Sequence, residues 1–184
     1  MSFLKSSKND HGVVDTFMRD PNLYGAFAEM LAHIMSGTSD LTTEQREMIA
    51  LHVSNVNDCL YCVQSHTAVL IHKGIDVNVI KKIQTGQSAE AKMQSVLTFS
   101  SKLTLQPGVV DQADIDAIKV AGWSDQAVEN VIAVVSLFSF LNRLVDGLGI
   151  EGDEKSIAQG AAMIAEHGYQ PVARMVKAEA NNAA

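Results

Sequence analysis

The chain has 184 residues, of which 47% are apolar and 19% charged, with only 12 Gly and 3 Pro. This composition excludes disordered, collagen-like and low-complexity readings and is enough for one sizeable core. Lys and Arg total 14 against 21 Asp and Glu, and the resulting charge of −7 repels phosphate backbones and anionic lipid surfaces, so neither nucleic acid nor a membrane is an expected partner.

Apolar residues recur with the 3.6-residue helical period and nowhere alternate as in a strand, which predicts an all-α fold, taken as one domain over residues 1–184. The opening MSFLKSSKNDHG is too polar for a secretory signal, and a cytoplasmic location is expected. Helical spacing begins at Val13 and runs to Met35, with Pro21 dividing it in two and Gly37 marking its end. Thr42 and Gln45 form a capping box for the next helix, which stops near Asn57. A third begins at Asp58 and Cys59 and ends at Lys73 and Gly74. Asp76 caps a short helix to about Thr85, Ala89 to Leu105 forms another before Pro107, and Asp111 caps one ending at Ala121. Ser124 opens the longest, to about Leu148, apolar around much of its circumference and so expected to be buried on more than one side. Its greasiest run, Val131 to Leu141, is closed by Asn142 and Arg143 and is too short to span a bilayer. Terminal helices are predicted over Glu154 to His167 and Pro171 to about Ala180, followed by a small polar tail.

Glu47 to His66 holds the chemistry, with both cysteines, a histidine and a carboxylate inside twenty residues. With Cys59 opening a helix, Cys62 at i+3 and His66 four residues further share its face, and a tight turn near residues 55–58 brings the helix of Glu47 alongside. A nucleophilic thiol must ionise below its ordinary value of roughly 8.5. The helix N-terminus favours a thiolate at Cys59 and, less, at Cys62; His66 can take a proton from Cys62, and Glu47 can relay it. A second thiol at i+3 resolves a sulfenic acid or mixed disulfide into an intramolecular disulfide. Cys59 lies nearer the dipole and Cys62 nearer the imidazole, so these effects alone do not choose the attacking thiol.

The run E-x11-C-x2-C-x3-H, with L-T-T-E-Q-R-E-M-I-A-L ahead of it and H-K-G-I behind it, resembles the carboxymuconolactone decarboxylase superfamily in its alkyl hydroperoxidase D-like, peroxidase-related branch. The motif region is 41–75. The resemblance implies an all-α multi-helix bundle assembled as homotrimers or hexamers. It implies reduction of hydrogen peroxide or small organic hydroperoxides, with Cys62 attacking, Cys59 resolving, and Glu47 and His66 relaying protons. No organic cofactor or metal is needed, and the external reductant would be a lipoyl-type dithiol, a thioredoxin-like protein or a peroxiredoxin partner. Where the best-known members carry a relay histidine just before the second cysteine, this chain has Tyr61, a possible relay that shuttles protons poorly near neutral pH.

Three other readings of these residues stand beside that one. The cysteines could be small buried hydrophobes, Cys59, Cys62, His66 and Glu47 could be a zinc site, or the protein could exchange disulfides with negligible peroxidase activity. A c-type haem motif is excluded because Val63, not histidine, follows the second cysteine. His52 could line the same cavity, Asn142 and Arg143 could close it or lie at the surface, and the remaining histidines receive no role.

Overall fold

The computed structural model describes residues 2–8 and 10–182, and among these the regular structure is ten α-helices and two short 3-10 turns. The helices are α1 (Val13–Arg19), α2 (Pro21–Ser36), α3 (Thr43–Val56), α4 (Leu60–His72) and α5 (Val77–Gln84), then α6 (Ala91–Leu105), α7 (Gln112–Val120), α8 (Asp125–Leu148), α9 (Glu154–His167) and α10 (Gln170–Asn182). Pro21 is the first residue of α2, where its missing N–H costs nothing, so the expected break separates α1 from α2. The C-terminal helix runs further than its sequence suggests, since Asn181 is helical; Ala183 and Ala184 of the expected tail lie outside the described residues.

Local chemistry sets the ends of the two helices that carry the motif. Both legs of the Thr42–Gln45 capping box form: the Gln45 N–H donates to Thr42 Oγ1 at 3.2 Å, and the Thr42 N–H donates to Gln45 Oε1 at 2.9 Å. Replacing Thr42 with alanine is expected to cost about 1 kcal/mol, read as a fall in the denaturant midpoint without a change in slope. Arg46, on the same turn, is buried and donates from Nη1 to the carbonyls of Ile34 (2.8 Å) and Gly37 (3.0 Å), satisfying acceptors left over at the end of α2. At the other end of α4, Lys73 Nζ reaches back to Glu44 Oε1 at 2.8 Å, tying the close of α4 to the start of α3. Burial works against the Glu44 anion, but the hydrogen bonds from Lys73, its own backbone and Thr43 outweigh it and hold the carboxyl at about 2.

α3 is the centre of the bundle, packed by α4, α5, α6 and α8, with α2 leaning on its start. Ile49, Ala50, Leu51 and Val53 of α3 are fully buried. α8 is long and apolar enough, by length and composition alone, to cross a membrane, although its greasiest sequence run is too short. Its buried residues, from Ala127 to Val145, form one broad face packed against α3, α6, α2 and α7, while Ile132 and Phe140 on the other side are exposed, so the helix is buried on one side and not on more than one as its composition suggests. α9 lies on α4 and α10 on α2, so the two C-terminal helices close the side of the bundle where the cysteines sit.

Candidate functional site

The site is built on the turn between α3 and α4. Asp58 takes φ +57, the left-handed conformation that a short polar side chain tolerates, and the Cys59 N–H then returns to the Ser54 carbonyl at 3.0 Å. This reversal lays α4 along α3 and makes Cys59 the N-cap residue of α4, although its side chain makes no capping hydrogen bond. Cys62 follows on the first turn. Both are free, buried thiols in a small cluster with Val145 and Ile150, flanked by Val13, Tyr61 and Leu148.

One thiol faces open space and the other does not. A cavity of about 440 Å³ opens between α4, α1, α8 and the α9–α10 pair, with Cys62, His66, Tyr61 and Tyr169 on its wall and a mostly apolar remainder that includes Phe17, Leu31, Phe138 and Leu141. Neither Cys59 nor Glu47 is part of that wall. Cys59 is fully buried and Cys62 nearly so, and of the two a molecule in the cavity meets Cys62.

Glu47 pairs with His66. Its Oε2 lies 2.7 Å from His66 Nδ1, with both side chains almost wholly buried. The edge-on Phe138 ring, 4.5 Å from the imidazole centroid, fixes the plane of His66. With Nδ1 engaged by the carboxylate, Nε2 is the nitrogen left for proton exchange on the cavity side.

The expectation that the helix dipole favours a thiolate is reversed for Cys62. Its thiol is pushed well above the ordinary range, first by the hydrogen bond with Cys59, then by burial and by negative charge on Cys59. A hydrogen bond from Asn142 works the other way. Two adjacent buried sulfurs do not readily both ionise. Alkylation of Cys62 in the reduced protein is therefore expected to accelerate only well above the roughly 8.5 of a free thiol; acceleration centred near pH 7 would contradict it. A raised acid binds its proton more tightly in the folded state. Its contribution to stability is complete below about pH 8.5 and is lost as pH rises through the folded value.

Tyr61 lines the cavity, but its hydroxyl accepts the Val13 N–H at 3.2 Å, which ties the start of α1 over the dithiol. Burial is the main cause that raises its phenol. The ring needs glycine on both sides: a Cβ at Gly12 would lie 2.7 Å from the hydroxyl oxygen, and one at Gly152, where φ is +69, 2.7 Å from the ring.

His52 lies elsewhere. Five residues beyond Glu47 it faces away from α4, with Nε2 2.6 Å from Ser101 Oγ and Nδ1 3.3 Å from the Gln84 carbonyl, so it is a structural histidine between α3, α5 and α6. Asn142 is fully buried behind the dithiol, accepting from Asn57 at 2.9 Å and donating to Ser54 Oγ at 3.0 Å, an arrangement that fixes its amide and turns its N–H groups toward Ser54 and Cys62. Arg143 is a surface residue bonded to the Ser139 carbonyl of its own helix. Among the described residues no group of three or more His, Cys, Asp or Glu side chains is placed to hold a metal ion.

Sequence reasoning missed Tyr169, which stands on the cavity wall beside Cys62 and His66. More than a hundred residues separate it from the motif, and no local pattern marks it.

The all-helical bundle that carries this site is similar to known proteins in sequence over part of its length and in fold over most of it. The sequence model of the carboxymuconolactone decarboxylase family matches residues 21–97. The fold is that of alkyl hydroperoxidase D-like proteins. Among solved structures it is similar to a peroxidase-related protein from Silicibacter sp. TM1040, at 24% identity over 80% of this chain and 79% of that one, with a TM-score of 0.74. A peroxidase-related protein from Ralstonia eutropha JMP134, described as an alkylhydroperoxidase AhpD core, gives 24% identity over 79% and 78%, with a TM-score of 0.71. The debrominase Bmp8 gives 18% identity over 80% and 81%, with a TM-score of 0.68. No curated protein matches the sequence.

Proposed function

We propose that the protein is a thiol-dependent peroxidase that reduces hydrogen peroxide or small organic hydroperoxides through the Cys59–Cys62 dithiol. The observation that carries this reading is the unequal placement of the two sulfurs, Cys62 on the cavity wall and Cys59 behind it, beside a buried Glu47–His66 pair. Cys62 loses its proton through His66 and attacks the terminal peroxide oxygen. The O–O bond breaks, Cys62 becomes a sulfenic acid, and the departing hydroxide or alkoxide takes up a proton. The Cys59 sulfur then attacks the Cys62 sulfur, the S–O bond breaks, and water leaves once the hydroxide is protonated. The two electrons that reduce the peroxide come from the two thiols and are restored by an external dithiol, which becomes a disulfide in turn.

The reductant is a lipoyl-type carrier, a thioredoxin-like protein or a peroxiredoxin partner, in a cytoplasmic homotrimer or hexamer. No bound cofactor takes part. Peroxide consumption with dihydrolipoamide as the electron source tests the reading, and no consumption above the rate of dihydrolipoamide alone would overturn it. A second reading, disulfide exchange with negligible peroxidase activity, is favoured by the proton held on Cys62 and by the engaged hydroxyl of Tyr61. Fast exchange with a dithiol combined with slow peroxide turnover selects it.

A further inference from the structure

α3 closes as four other helices do, but with a different residue at the critical position. α4, α5, α7 and α8 each end on a left-handed residue whose N–H returns to the carbonyl three residues back, while the next N–H returns five back. Gly74, Gly86, Gly122 and Gly149 hold that position, at φ between +68 and +95. α3 makes the same two bonds, from the Asp58 N–H to the Asn55 carbonyl at 3.1 Å and from the Cys59 N–H to the Ser54 carbonyl at 3.0 Å. Its left-handed residue is Asp58, the one residue other than glycine with a positive φ among the described residues. A side chain there costs conformational energy that glycine avoids, and such a residue persists where its surroundings hold it. The hold comes from α8. Asn142, fully buried, donates from Nδ2 to Ser54 Oγ at 3.0 Å and accepts at Oδ1 from Asn57 Nδ2 at 2.9 Å, so one amide grips the last turn of α3 at two points.

We propose that Asn142 is a positioning residue of the dithiol: its grip on Ser54 and Asn57 holds the Asp58 turn that sets Cys59 against Cys62, and so favours closure of the Cys59–Cys62 disulfide. The proposal rests on the reading of Cys59 as the resolving partner of Cys62. Cys59 directly follows the left-handed residue, and its N–H makes one of the two bonds that define the turn. Its side chain makes no capping bond of its own, so the turn is what places its sulfur, which lies in one small buried cluster with Cys62. Closing a disulfide at a fixed turn loses less chain entropy than at a loose one, which raises the effective concentration of one sulfur at the other. Ser54, Asn57 and Asn142 take no part in the cavity wall, and Glu47 and His66 bond to each other, so the grip bears on the pairing of the sulfurs and not on the entry of peroxide.

The test is the equilibrium of the full-length protein with mixtures of reduced and oxidised dithiothreitol, without peroxide. In this exchange the Cys59–Cys62 bond forms, the S–S bond of oxidised dithiothreitol breaks, and its two sulfurs take up the two electrons and two protons. Asn142→Leu should lower the equilibrium constant for closure about tenfold, a rise of about 30 mV in potential. Asp58→Gly added to Asn142→Leu should recover most of that loss, because glycine takes the left-handed conformation without the grip. Thr42→Ala, which weakens the far end of α3, should leave the constant at its wild-type value. A constant within about twofold of wild type in Asn142→Leu, no recovery with Asp58→Gly, or an equal fall in Thr42→Ala would overturn the proposal. If Asn142→Leu loses its helical signal, Ser54→Ala decides: it removes one of the two bonds and should lower the constant severalfold, and no change would overturn the proposal. Wild-type protein that forms no disulfide in oxidised dithiothreitol would overturn the proposed function together with this inference, whereas a wild type that exchanges fully beside an unmoved Asn142→Leu overturns this inference alone.

Discussion

Cys62→Ser is expected to lower peroxide turnover on the order of 10³-fold or more, to the background of the reductant alone. The size of the effect follows from the placement of the two sulfurs. Cys62 is the one on the cavity wall, and Cys59, fully buried behind it, is shielded from a peroxide in the cavity. Cys59→Ser should behave differently: one equivalent of peroxide oxidises Cys62 to a sulfenic acid, turnover then stalls, and excess peroxide carries it to the irreversible sulfinic state. Turnover in Cys62→Ser at the wild-type rate would remove the attacking role from this residue. If Cys59→Ser were the inactive variant while Cys62→Ser still formed a sulfenic acid, the two roles would be exchanged.

The second large effect is expected from the buried pair. Cys62 holds its proton more tightly than a free thiol, because Cys59 and burial both oppose its ionisation, so a group must accept that proton before attack. His66 lies one helical turn from Cys62, and its Nδ1 is fixed by Glu47 at 2.7 Å. His66→Asn and Glu47→Gln should each lower the peroxide rate by about 10²- to 10⁴-fold, the usual contribution of a positioned acid or base. The two losses should be far from additive, since both variants break one unit. Raising the pH should restore part of the rate in both variants as hydroxide replaces the missing base, whereas Cys62→Ser should not recover at any pH. Single-turnover peroxide reduction followed from pH 6 to 10 separates these outcomes, and equal rates in wild type and both variants would contradict the relay.

Much of the bundle is legible in the sequence because helix ends are local chemistry. Thr42, Asp76, Asp111 and Ser124 act as the caps their positions suggest, and Gly74 and Gly149 take the positive φ that suits a helix end. The all-around apolar character of α8 marks a helix with a large buried face, but not that Ile132 and Phe140 stay exposed on the other. The neighbourhood of Cys59, Cys62 and His66 on one helix start is likewise a matter of spacing. What spacing cannot carry is the direction of side chains between elements. That Glu47 pairs with His66 Nδ1 is one such direction. His52, in the same helix, is turned toward α5 and α6 by the bonds it makes to Gln84 and Ser101.

The sign of the Cys62 shift depends on burial and on the neighbouring sulfur, which act only once the chain has folded, while the dipole argument sees only the helix. Tyr169, in the turn before α10, and Asn142, in α8, reach the site from far along the chain, through the docking of α10 on α2 and of α8 on α3. A motif can mark where the two thiols lie, but the groups around them come from the whole bundle.

The central claim, that Cys59 and Cys62 act as one peroxide-driven redox pair, is tested most directly by the mass of the intact protein alkylated under denaturing conditions. The measurement is made before and after a few equivalents of hydrogen peroxide. Simultaneous loss of both alkylation sites, reversed by a dithiol, is the predicted result; two thiols that remain alkylatable, or that gain oxygen separately without pairing, would contradict it.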